Sequence, residues 1–328
     1  MLLVASYALL FGFWAASYFV IIPVTLNLLT TALCIIIIAS SRSLKITPYL
    51  ADQSKTEVAI DADGNEVLVP VKRETLSTQD AYMFPVIGSC SLFGIYCAFK
   101  YLDPSWVQFL LSGYFSLAGV FTLTATFVGA LKAVPALNSA TNKILLNYKT
   151  KISLFGFSDD LHLFITVAEC VSFVPSLAIT WFYVSTKHYM LNNLIGMAFC
   201  IQAIENISVG SVKTAAVLLV GLFFYDIFWV FGTEVMVSVA KKVKGPLLLL
   251  FPRVFADAAN EVKGEFSMLG LGDIVIPGLF IALLYRLDTM KYVNALLEKE
   301  EKETVVIPTV TSIHSHKYAK SYFYATLV

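Results

Sequence analysis

The chain has 328 residues, of which 58% are hydrophobic and only 14% charged, and its mean hydropathy is +0.75. A soluble domain usually carries about 25% charged residues, so this composition excludes an ordinary soluble protein and predicts several membrane spans. The formal net charge is zero, which gives no reason to expect a nucleic-acid partner. The five cysteines show no metal-ligand spacing, so we expect neither a disulfide nor a metal site.

The chain begins with a long apolar stretch, and its first charged residue is Arg42. We expect the core of a first span at Thr25–Ser40, since a helical span needs about 20 residues. Residues 1–22 form another apolar element that breaks off near Pro23. Whether this element spans the membrane or is a cleaved signal peptide stays open, although the basic segment that begins a signal peptide is missing.

Polar loops alternate with apolar segments along the rest of the chain. Residues 42–80 form such a loop, whose turn-rich stretch Asp61–Asn65 we interpret as solvated, because the remaining spacing does not fit a calcium site. Further loops are expected at 132–160 and 241–266, and a charged linker after Arg286. The apolar segments predict six more spans, at Tyr82–Phe99, Trp106–Leu131, Leu161–Val184, Met190–Ala203, Ala215–Phe231 and Met268–Tyr285.

The distribution of lysine and arginine predicts the orientation, because cytosolic loops carry the excess of these residues. If the 42–80 loop is cytosolic and the spans alternate, cytosolic loops hold 16 of the 23 basic residues and the opposite side holds 7. The basic 241–266 loop, on the opposite side, is the one feature that argues against this arrangement.

Two of the predicted spans carry a single aspartate each. Asp226 lies among aromatic residues, in Phe224–Trp229, and Asp273 directly follows Gly270-Leu271-Gly272. An ionised aspartate at mid-membrane costs roughly 2.5–3.5 kcal/mol on insertion scales, so such residues usually have a function. We expect the two carboxylates to face each other, because each is the other's most available polar partner.

Two carboxylates held close together cannot both ionise easily, so we expect them to share a proton near neutral pH. The ionised member can take a proton from water while the protonated member donates to a carbonyl oxygen, as in aspartic proteases. A proton relay in a transporter or channel is the alternative that these residues leave open. Because we find no convincing internal repeat, the sequence favours hydrolysis modestly.

The residues beside the aspartates suit a catalytic pair. We expect Gly270 and Gly272 to let the second helix approach the first, and Pro277-Gly278 to kink or unwind that second helix. Tyr225 offers a hydroxyl that can orient a substrate or a water.

A third acidic residue, Glu169, lies in the predicted Leu161–Val184 span. We expect it to form an ordinary hydrogen bond to a neighbouring helix and to have no catalytic role. His162 lies on the same predicted helical face, but two turns separate the pair by about 10 Å, which is too far for a direct bond.

Two long motifs resemble the signal peptide peptidase family, which is related to presenilin. They are Tyr225-Asp226 followed by Ile-Phe-Trp-Val-Phe-Gly-Thr, and Gly270-Leu271-Gly272-Asp273 followed by Ile-Val-Ile-Pro-Gly. The stretch Asn192-Asn193-Leu194-Ile195-Gly196 also resembles this family, and recognisable similarity runs from Ala81 to Val328.

The resemblance implies an all-α polytopic bundle of nine transmembrane helices, of which about seven and part of an eighth are expected here. It implies an intramembrane aspartyl endopeptidase with Asp226 and Asp273 as the catalytic pair. We expect the substrate-binding residues next to this pair to be Tyr225, Gly270, Leu271 and Gly272. The family uses no metal or organic cofactor.

The resemblance also implies a location and partners. The protein is expected in the endoplasmic reticulum membrane, with its N-terminus in the lumen. The expected substrates are remnant signal peptides and type II transmembrane segments within the lipid bilayer. The oligomeric state, a homo-oligomer included, is left open by the sequence.

We divide the chain into N-terminal transmembrane helices, 1–209, and a catalytic region, 210–328, that carries both aspartates. The family has a Pro-Ala-Leu motif on a later helix, whereas here Ser321–Val328 begins an apolar segment too short to span. The tripeptide Pro135-Ala136-Leu137 precedes both aspartates, and we interpret it as a coincidence. We therefore expect a truncated product that is inactive, or nearly so, when expressed alone.

Overall fold

The computed structural model describes residues 2–20, 22–44, 56–60, 66–70, 75–76, 78–134, 144–154, 157–233, 235–243, 245–254 and 265–300, and positions 323 and 326. Its helices are α1 (Leu2–Phe19), α2 (Val24–Ser43), α3 (Thr78–Tyr101), α4 (Pro104–Ala133), α5 (Val167–Thr186), α6 (Tyr189–Asn206), α7 (Val212–Asp226), α8 (Val235–Lys242) and α9 (Leu271–Glu300). Its strands are β1 (Thr56–Ile60), β2 (Glu66–Pro70), β3 (Thr75–Leu76), β4 (Ile144–Leu154), β5 (Phe157–Thr166), β6 (Ser208–Val209), β7 (Leu248–Val254) and β8 (Glu265–Gly270).

Five of the described helices are long and apolar enough to cross a membrane. They cover Val24–Ser43, Gln79–Tyr101, Pro104–Ala133, Val167–Thr186 and Val212–Trp229, and Leu3–Phe19 is a shorter apolar helix. The predicted class, a helical polytopic membrane protein, is therefore confirmed. The break expected near Pro23 is also present. Helix α1 ends at Phe19, and Pro23 directly precedes Val24, the first residue of α2.

Helix α6 lies at the centre of the described bundle. It contacts α2, α4 and α9, and Ile195, Cys200, Ile201 and Ile204 are completely buried. Apolar side chains in a lipid-facing helix would remain exposed in the protein, so this burial shows that α6 is surrounded by other helices. The short span predicted at Met190–Ala203 thus corresponds to the core helix of the bundle.

A buried ion pair joins α2 to α6. The Arg42 guanidinium lies 2.8 Å from the Glu205 carboxylate, with side-chain exposures of 13% and 9%. Arg42 also donates to the Tyr7 hydroxyl at 3.1 Å and to the Ala125 carbonyl at 3.0 Å. Gly129 leaves room for the guanidinium, because a Cβ atom there would collide with it. The first charged residue of the chain therefore ties α1, α2, α4 and α6 together.

The predicted 132–160 loop contains strands instead of being irregular throughout. Strands β4 and β5 form an antiparallel hairpin that extends to Thr166, so α5 begins at Val167 and the expected helix start at Leu161 is wrong. His162 pairs with Lys149 in this hairpin, and the predicted helical face shared by His162 and Glu169 does not exist. Ladder hydrogen bonds to β4 hold this segment extended, where periodicity alone suggested a continuous helix.

Glu169 caps its own helix, and the expected bond to a neighbouring helix is wrong. Its carboxylate accepts from the backbone N–H of Thr166 at 3.0 Å, in a capping box at the start of α5. A capping box satisfies backbone donors that have no partner in the first helical turn. Glu169 therefore has a structural role.

The predicted 241–266 loop and the last predicted span also differ from the structure. Strands β7 and β8 pair antiparallel, with Leu250 opposite Met268, so Met268–Gly270 is strand and α9 begins at Leu271. The first part of the charged linker expected after Arg286 is helical, because α9 continues to Glu300, and the linker beyond that residue lies outside the described residues. The stretch Asp61–Asn65 and most of Ser321–Val328 lie outside the described residues.

Candidate active site

Asp226 is the last residue of α7, and the hydrogen-bond pattern of the helix changes directly after it. Ile227–Phe231 form a π-helical turn, which closes where Gly232 donates to the Phe228 carbonyl at 2.9 Å. A Cβ atom at Gly232 would lie 2.5 Å from that carbonyl oxygen, so the turn requires glycine here. Turns of this kind are rare in proteins overall, and those that occur often lie at functional sites. The Asp226 side chain itself is exposed.

The π-helical turn is anchored to α3 through Trp229. The indole Nε1 donates to the Ser89 hydroxyl at 2.9 Å, and that hydroxyl donates to the Pro85 carbonyl at 2.8 Å. Trp229 is buried, and α3 is the main packing partner of α7. At Gly221, a Cβ atom would lie 2.9 Å from the Pro85 ring, which shows how closely the two helices approach. These contacts fix the end of α7 at which Asp226 lies.

Tyr225 lies between α7 and α3. Its ring faces Gly88, where a Cβ atom would be 3.5 Å away, and its centroid is 6.4 Å from that of Trp229. The side chain is half-buried. Among the described residues, none forms a hydrogen bond with its hydroxyl. The expected role of this hydroxyl towards substrate or water stays a prediction.

Asp273 lies in the first turn of α9, directly after the strand β8. Gly270 ends the strand, Leu271 begins the helix, and Asp273 is its third residue. A carboxylate in the first turn of a helix is favoured by about 0.3–1 kcal/mol because of the helix dipole. Pro277 has no N–H, so it cannot donate to the Asp273 carbonyl four residues earlier. The Asp273 side chain is exposed.

The structure places the two predicted aspartates on contacting helices. Asp226 is the last residue of α7, Asp273 lies in the first turn of α9, and α7 contacts α9. In the part of the chain that the structure describes, neither carboxylate has a hydrogen-bond or ion-pair partner, and no group of three or more metal-ligating side chains occurs. Two carboxylates held close together can share one proton and act on a bound water.

The two glycines before Asp273 were expected to pack against α7, but they do not pack against it. A Cβ atom at Gly270 would lie 3.2 Å from Oδ2 of Asp273, so Gly270 leaves room for the carboxylate. A Cβ atom at Gly272 would meet only Ile276 of its own helix, at 3.9 Å. The expectation that both glycines mediate helix approach is therefore wrong.

Close helix packing is found instead at Gly278. A Cβ atom there would lie 2.5 Å from Cδ1 of Ile204 in α6 and 3.6 Å from Cγ1 of Ile36 in α2. Helix α9 continues through Pro277 and Gly278, so the expectation that this pair unwinds the helix is wrong, while the alternative of a kink stays a prediction. The helix carrying Asp273 is thus held against the core of the bundle.

Sequence reasoning identified Asn192 and Asn193 only as part of a motif and missed what they contact. Both are buried, and their side-chain amides bind the backbone of β7. Two adjacent amides inside an apolar helix are the signal that could have found them, because buried amides need hydrogen-bond partners. The anchor between Trp229 and Ser89 left no comparable signal in the sequence.

These observations define a class, a helical multi-pass membrane protein with an exposed aspartate at the end of one helix and another in the first turn of a helix that contacts it. The family model described as signal peptide peptidase matches residues 70–328. The chain therefore belongs to the signal peptide peptidase family.

Individual relatives agree with this assignment. The chain is 39% identical to the signal peptide peptidase of mouse over 220 residues, which cover 66% of this chain and 56% of the mouse protein. It is also 39% identical to human signal peptide peptidase over 216 residues, with the same coverage. Intramembrane protease 2 of Caenorhabditis elegans is 56% identical over 103 residues, covering 31% of this chain and 22% of that protein. The aligned region thus spans little more than half the length of the mouse and human relatives. No solved structure matches the chain significantly.

Proposed function

We propose that this chain is an intramembrane aspartyl endopeptidase in which Asp226 and Asp273 are the catalytic residues. The observation that carries the proposal is the position of two exposed carboxylates on contacting helices, at the end of α7 and in the first turn of α9. Relatives named signal peptide peptidase and intramembrane protease support this reaction class. No feature of the described residues favours the transporter alternative.

The reaction would use the pair as one unit. The ionised carboxylate takes a proton from water, and the water oxygen attacks the carbonyl carbon of the scissile peptide bond. The protonated carboxyl donates its proton to the carbonyl oxygen as the tetrahedral intermediate forms. The proton taken from water then passes to the peptide nitrogen while the carbon–nitrogen bond breaks, and a hydroxyl of the intermediate gives its proton to the other carboxylate as the new carboxylic acid forms. The pair is then singly protonated again.

The strand β8 offers a binding edge for the substrate backbone. A transmembrane peptide must leave its helix to expose a peptide bond, and its backbone groups then need new partners within the membrane. In the antiparallel ladder, Leu269 and Ser267 bond to β7, so the backbone groups of Met268 point away from it. An extended substrate could pair with this edge, as peptides do when they extend a sheet.

Among the residues expected to bind substrate, Gly272 offers the most open surface. It is exposed, and the space where a Cβ atom would be holds only Ile276. Leu271 points towards α6, where a Cβ atom at Gly196 would be 3.6 Å from its Cδ1. We therefore assign substrate contact to Gly270, Gly272 and Tyr225, and a packing role to Leu271.

The proposed substrates are peptide segments within the membrane, remnant signal peptides and type II segments among them. Relatives named signal peptide peptidase support the first of these. Because signal peptides are released at the endoplasmic reticulum, we place the protein in that membrane. The orientation with a luminal N-terminus, and the catalytic region at 210–328, belong to the same proposal.

Cleavage of a model signal peptide by the reconstituted protein tests the proposal. Asp226→Ala and Asp273→Ala should each lower cleavage at least about 10³-fold, because the two groups act as one unit, while the protein remains in the membrane. Asp103→Asn is a matched control, since Asp103 caps α4 and asparagine caps a helix equally well. Substantial cleavage by either alanine variant would remove that residue from the catalytic pair.

A further inference from the structure

Helix α6 binds one edge of the β7–β8 hairpin through two buried asparagines. Asn193 makes two hydrogen bonds to one residue: its Nδ2 donates to the Leu250 carbonyl at 2.7 Å, and its Oδ1 accepts from the Leu250 N–H at 2.8 Å. Asn192 donates to the Leu248 carbonyl at 2.7 Å, and its Oδ1 accepts from the Tyr183 hydroxyl at 3.3 Å. Both asparagines are only 7% exposed.

The bonds made by Asn193 have the pattern of a neighbouring strand. In an antiparallel ladder, each residue exchanges both of its backbone bonds with one partner on one side. Leu249 and Phe251 face β8, opposite Leu269 and Ser267, so Leu248 and Leu250 face away from it. The asparagine amides therefore occupy the place that a third strand would take beside β7.

The same face of α6 is shaped to hold the hairpin closely. A Cβ atom at Gly196, one turn after Asn192, would lie 2.9 Å from Cδ2 of Leu249 and 3.6 Å from the Pro246 carbonyl. Pro252 continues the edge that faces α6, and its missing N–H needs no partner there. Amides, glycine and proline thus make this edge of the hairpin complementary to α6.

The hairpin in turn determines where Asp273 lies. Strand β8 runs into α9 without an intervening loop, and Leu271 donates to the Leu247 carbonyl at 3.2 Å, which extends the ladder to the first residue of the helix. A slip of two residues between the strands would keep every side chain on its own face of the sheet. Because Asp273 follows β8 without a loop, the slip would move Asp273 together with any substrate paired with β8, and would displace both relative to β7 and to Asp226 on α7.

We propose that Asn192 and Asn193 are positioning residues that lock the register and position of the hairpin, and through it the place of Asp273 relative to Asp226. This inference rests on the proposed function. It assigns α6, a helix without an acidic residue at the site, a direct part in holding the two carboxyl groups in one site. It also explains why the substrate would pair with β8. The outer backbone groups of β7 are already bound by α6, so β8 has the available edge of the hairpin.

Steady-state kinetics, with product analysis by mass spectrometry, tests the positioning role. Asn193→Ala removes both bonds to Leu250, whereas the edge of β8 proposed for the substrate is untouched, so we expect the same cleavage site as in the wild-type protein. We expect kcat to fall about tenfold while KM changes less than about twofold, because substrate binding is retained but the two carboxyl groups are misaligned. Asn192→Ala removes a single bond to β7 and should give the same changes to a smaller extent.

Asn206→Ala is the matched control on the same helix. Asn206 is exposed and donates only to the Gln202 side chain in the described contacts, at 3.2 Å. It should leave both the cleavage site and kcat unchanged. A variant that merely lost folded protein would also show faster amide exchange in α4. An unchanged kcat in Asn193→Ala, beside an active wild-type protein, would overturn the inference.

Amide hydrogen exchange gives a second readout that does not depend on activity. The Leu250 N–H should exchange about tenfold faster in Asn193→Ala than in the wild-type protein, since it loses its acceptor. Amides in α4 should be unaffected, which shows that the bundle is intact. Unchanged exchange at Leu250 would overturn the inference even if cleavage is never detected. Failure of the wild-type protein to cleave, with faster exchange in the variant, would refute the proposed function and leave the hydrogen-bonded clamp in place.

Discussion

Trp229 shows how a single side chain holds the end of α7 that carries Asp226 in place. The residue lies three positions after Asp226, in the π-helical turn, and its indole reaches Ser89 on α3. A buried indole N–H without a partner would be costly, so the bond fixes both the ring and the turn that carries it. Gly88, next to Ser89, receives the ring of Tyr225. Helix α3 thus positions Asp226 through its contacts with Trp229 and Tyr225.

Removing the indole N–H should therefore loosen α7. We expect Trp229→Phe to lower the free energy of unfolding by about 0.5–1.5 kcal/mol, the usual net value of one hydrogen bond. Ser89→Ala should cost a similar amount, and the double variant should cost less than the sum of the two, since both remove the same bond. Thermal unfolding in detergent measures all three. Strictly additive losses would show that the bond contributes nothing.

For single residues, the sequence shows which side chains are candidates for a function better than it shows what those side chains contact. Asp226 and Asp273 could be selected because an isolated carboxylate in an apolar segment is conspicuous and costly. The partner of Trp229 could not be predicted, because Ser89 is 140 positions away. Glu169 was misassigned for a related reason. A periodicity that suggested one continuous helix hid the strand before it, and so hid the N-terminus that Glu169 caps.

Among the secondary-structure elements, α6 connects the two ends of the bundle. Its first turns bind the β7–β8 hairpin through Asn192 and Asn193, and its last turn carries Glu205, which pairs with Arg42. Twelve residues of helix separate Asn193 from Glu205, which is roughly 18 Å. The element that positions Asp273 is therefore itself fixed at its opposite end by a charged network.

Breaking this ion pair should destabilise the whole bundle. Glu205→Gln leaves the Arg42 guanidinium buried without a counter-charge, and we expect a loss of about 3–5 kcal/mol in the free energy of unfolding. Replacing both residues, as in Arg42→Met with Glu205→Leu, should cost less than the single change, since no unpaired charge remains. Chemical unfolding in detergent is the measurement. A loss below about 1 kcal/mol in Glu205→Gln would show that the pair behaves like an exposed one.

The elements that sequence analysis misplaced share a physical cause. Strands β4, β5, β7 and β8 are stabilised by pairing with one another, and such pairing depends on context more than on intrinsic propensity. Apolar strands such as Leu248–Val254 and Met268–Gly270 also resemble parts of a span in composition. Only the apolar helices, whose length the membrane dictates, could be located well, as at Val24–Ser43 and Pro104–Ala133.

In the whole molecule, the helices are held together by contacts near both ends of the bundle. Arg42, near the end of α2, contacts Glu205 at the end of α6 and Ala125 in the second half of α4. The short strands β3 and β6 pair in parallel near the same end. The Asn192–Asn193 pair and the β7–β8 hairpin lie towards the other end of α6. Which of these ends is cytosolic remains a prediction from the distribution of basic residues.

Binding of a transition-state mimic tests most directly whether Asp226 and Asp273 form one catalytic site. A peptide with a hydroxyl in place of the scissile carbonyl, carrying a photo-crosslinker, should label the wild-type protein in membranes. Both Asp226→Asn and Asp273→Asn should lose this labelling, because the hydroxyl needs both carboxyl groups, whereas Asp103→Asn should retain it. Excess substrate peptide should compete with the label. Undiminished labelling of Asp226→Asn or of Asp273→Asn would contradict a shared site.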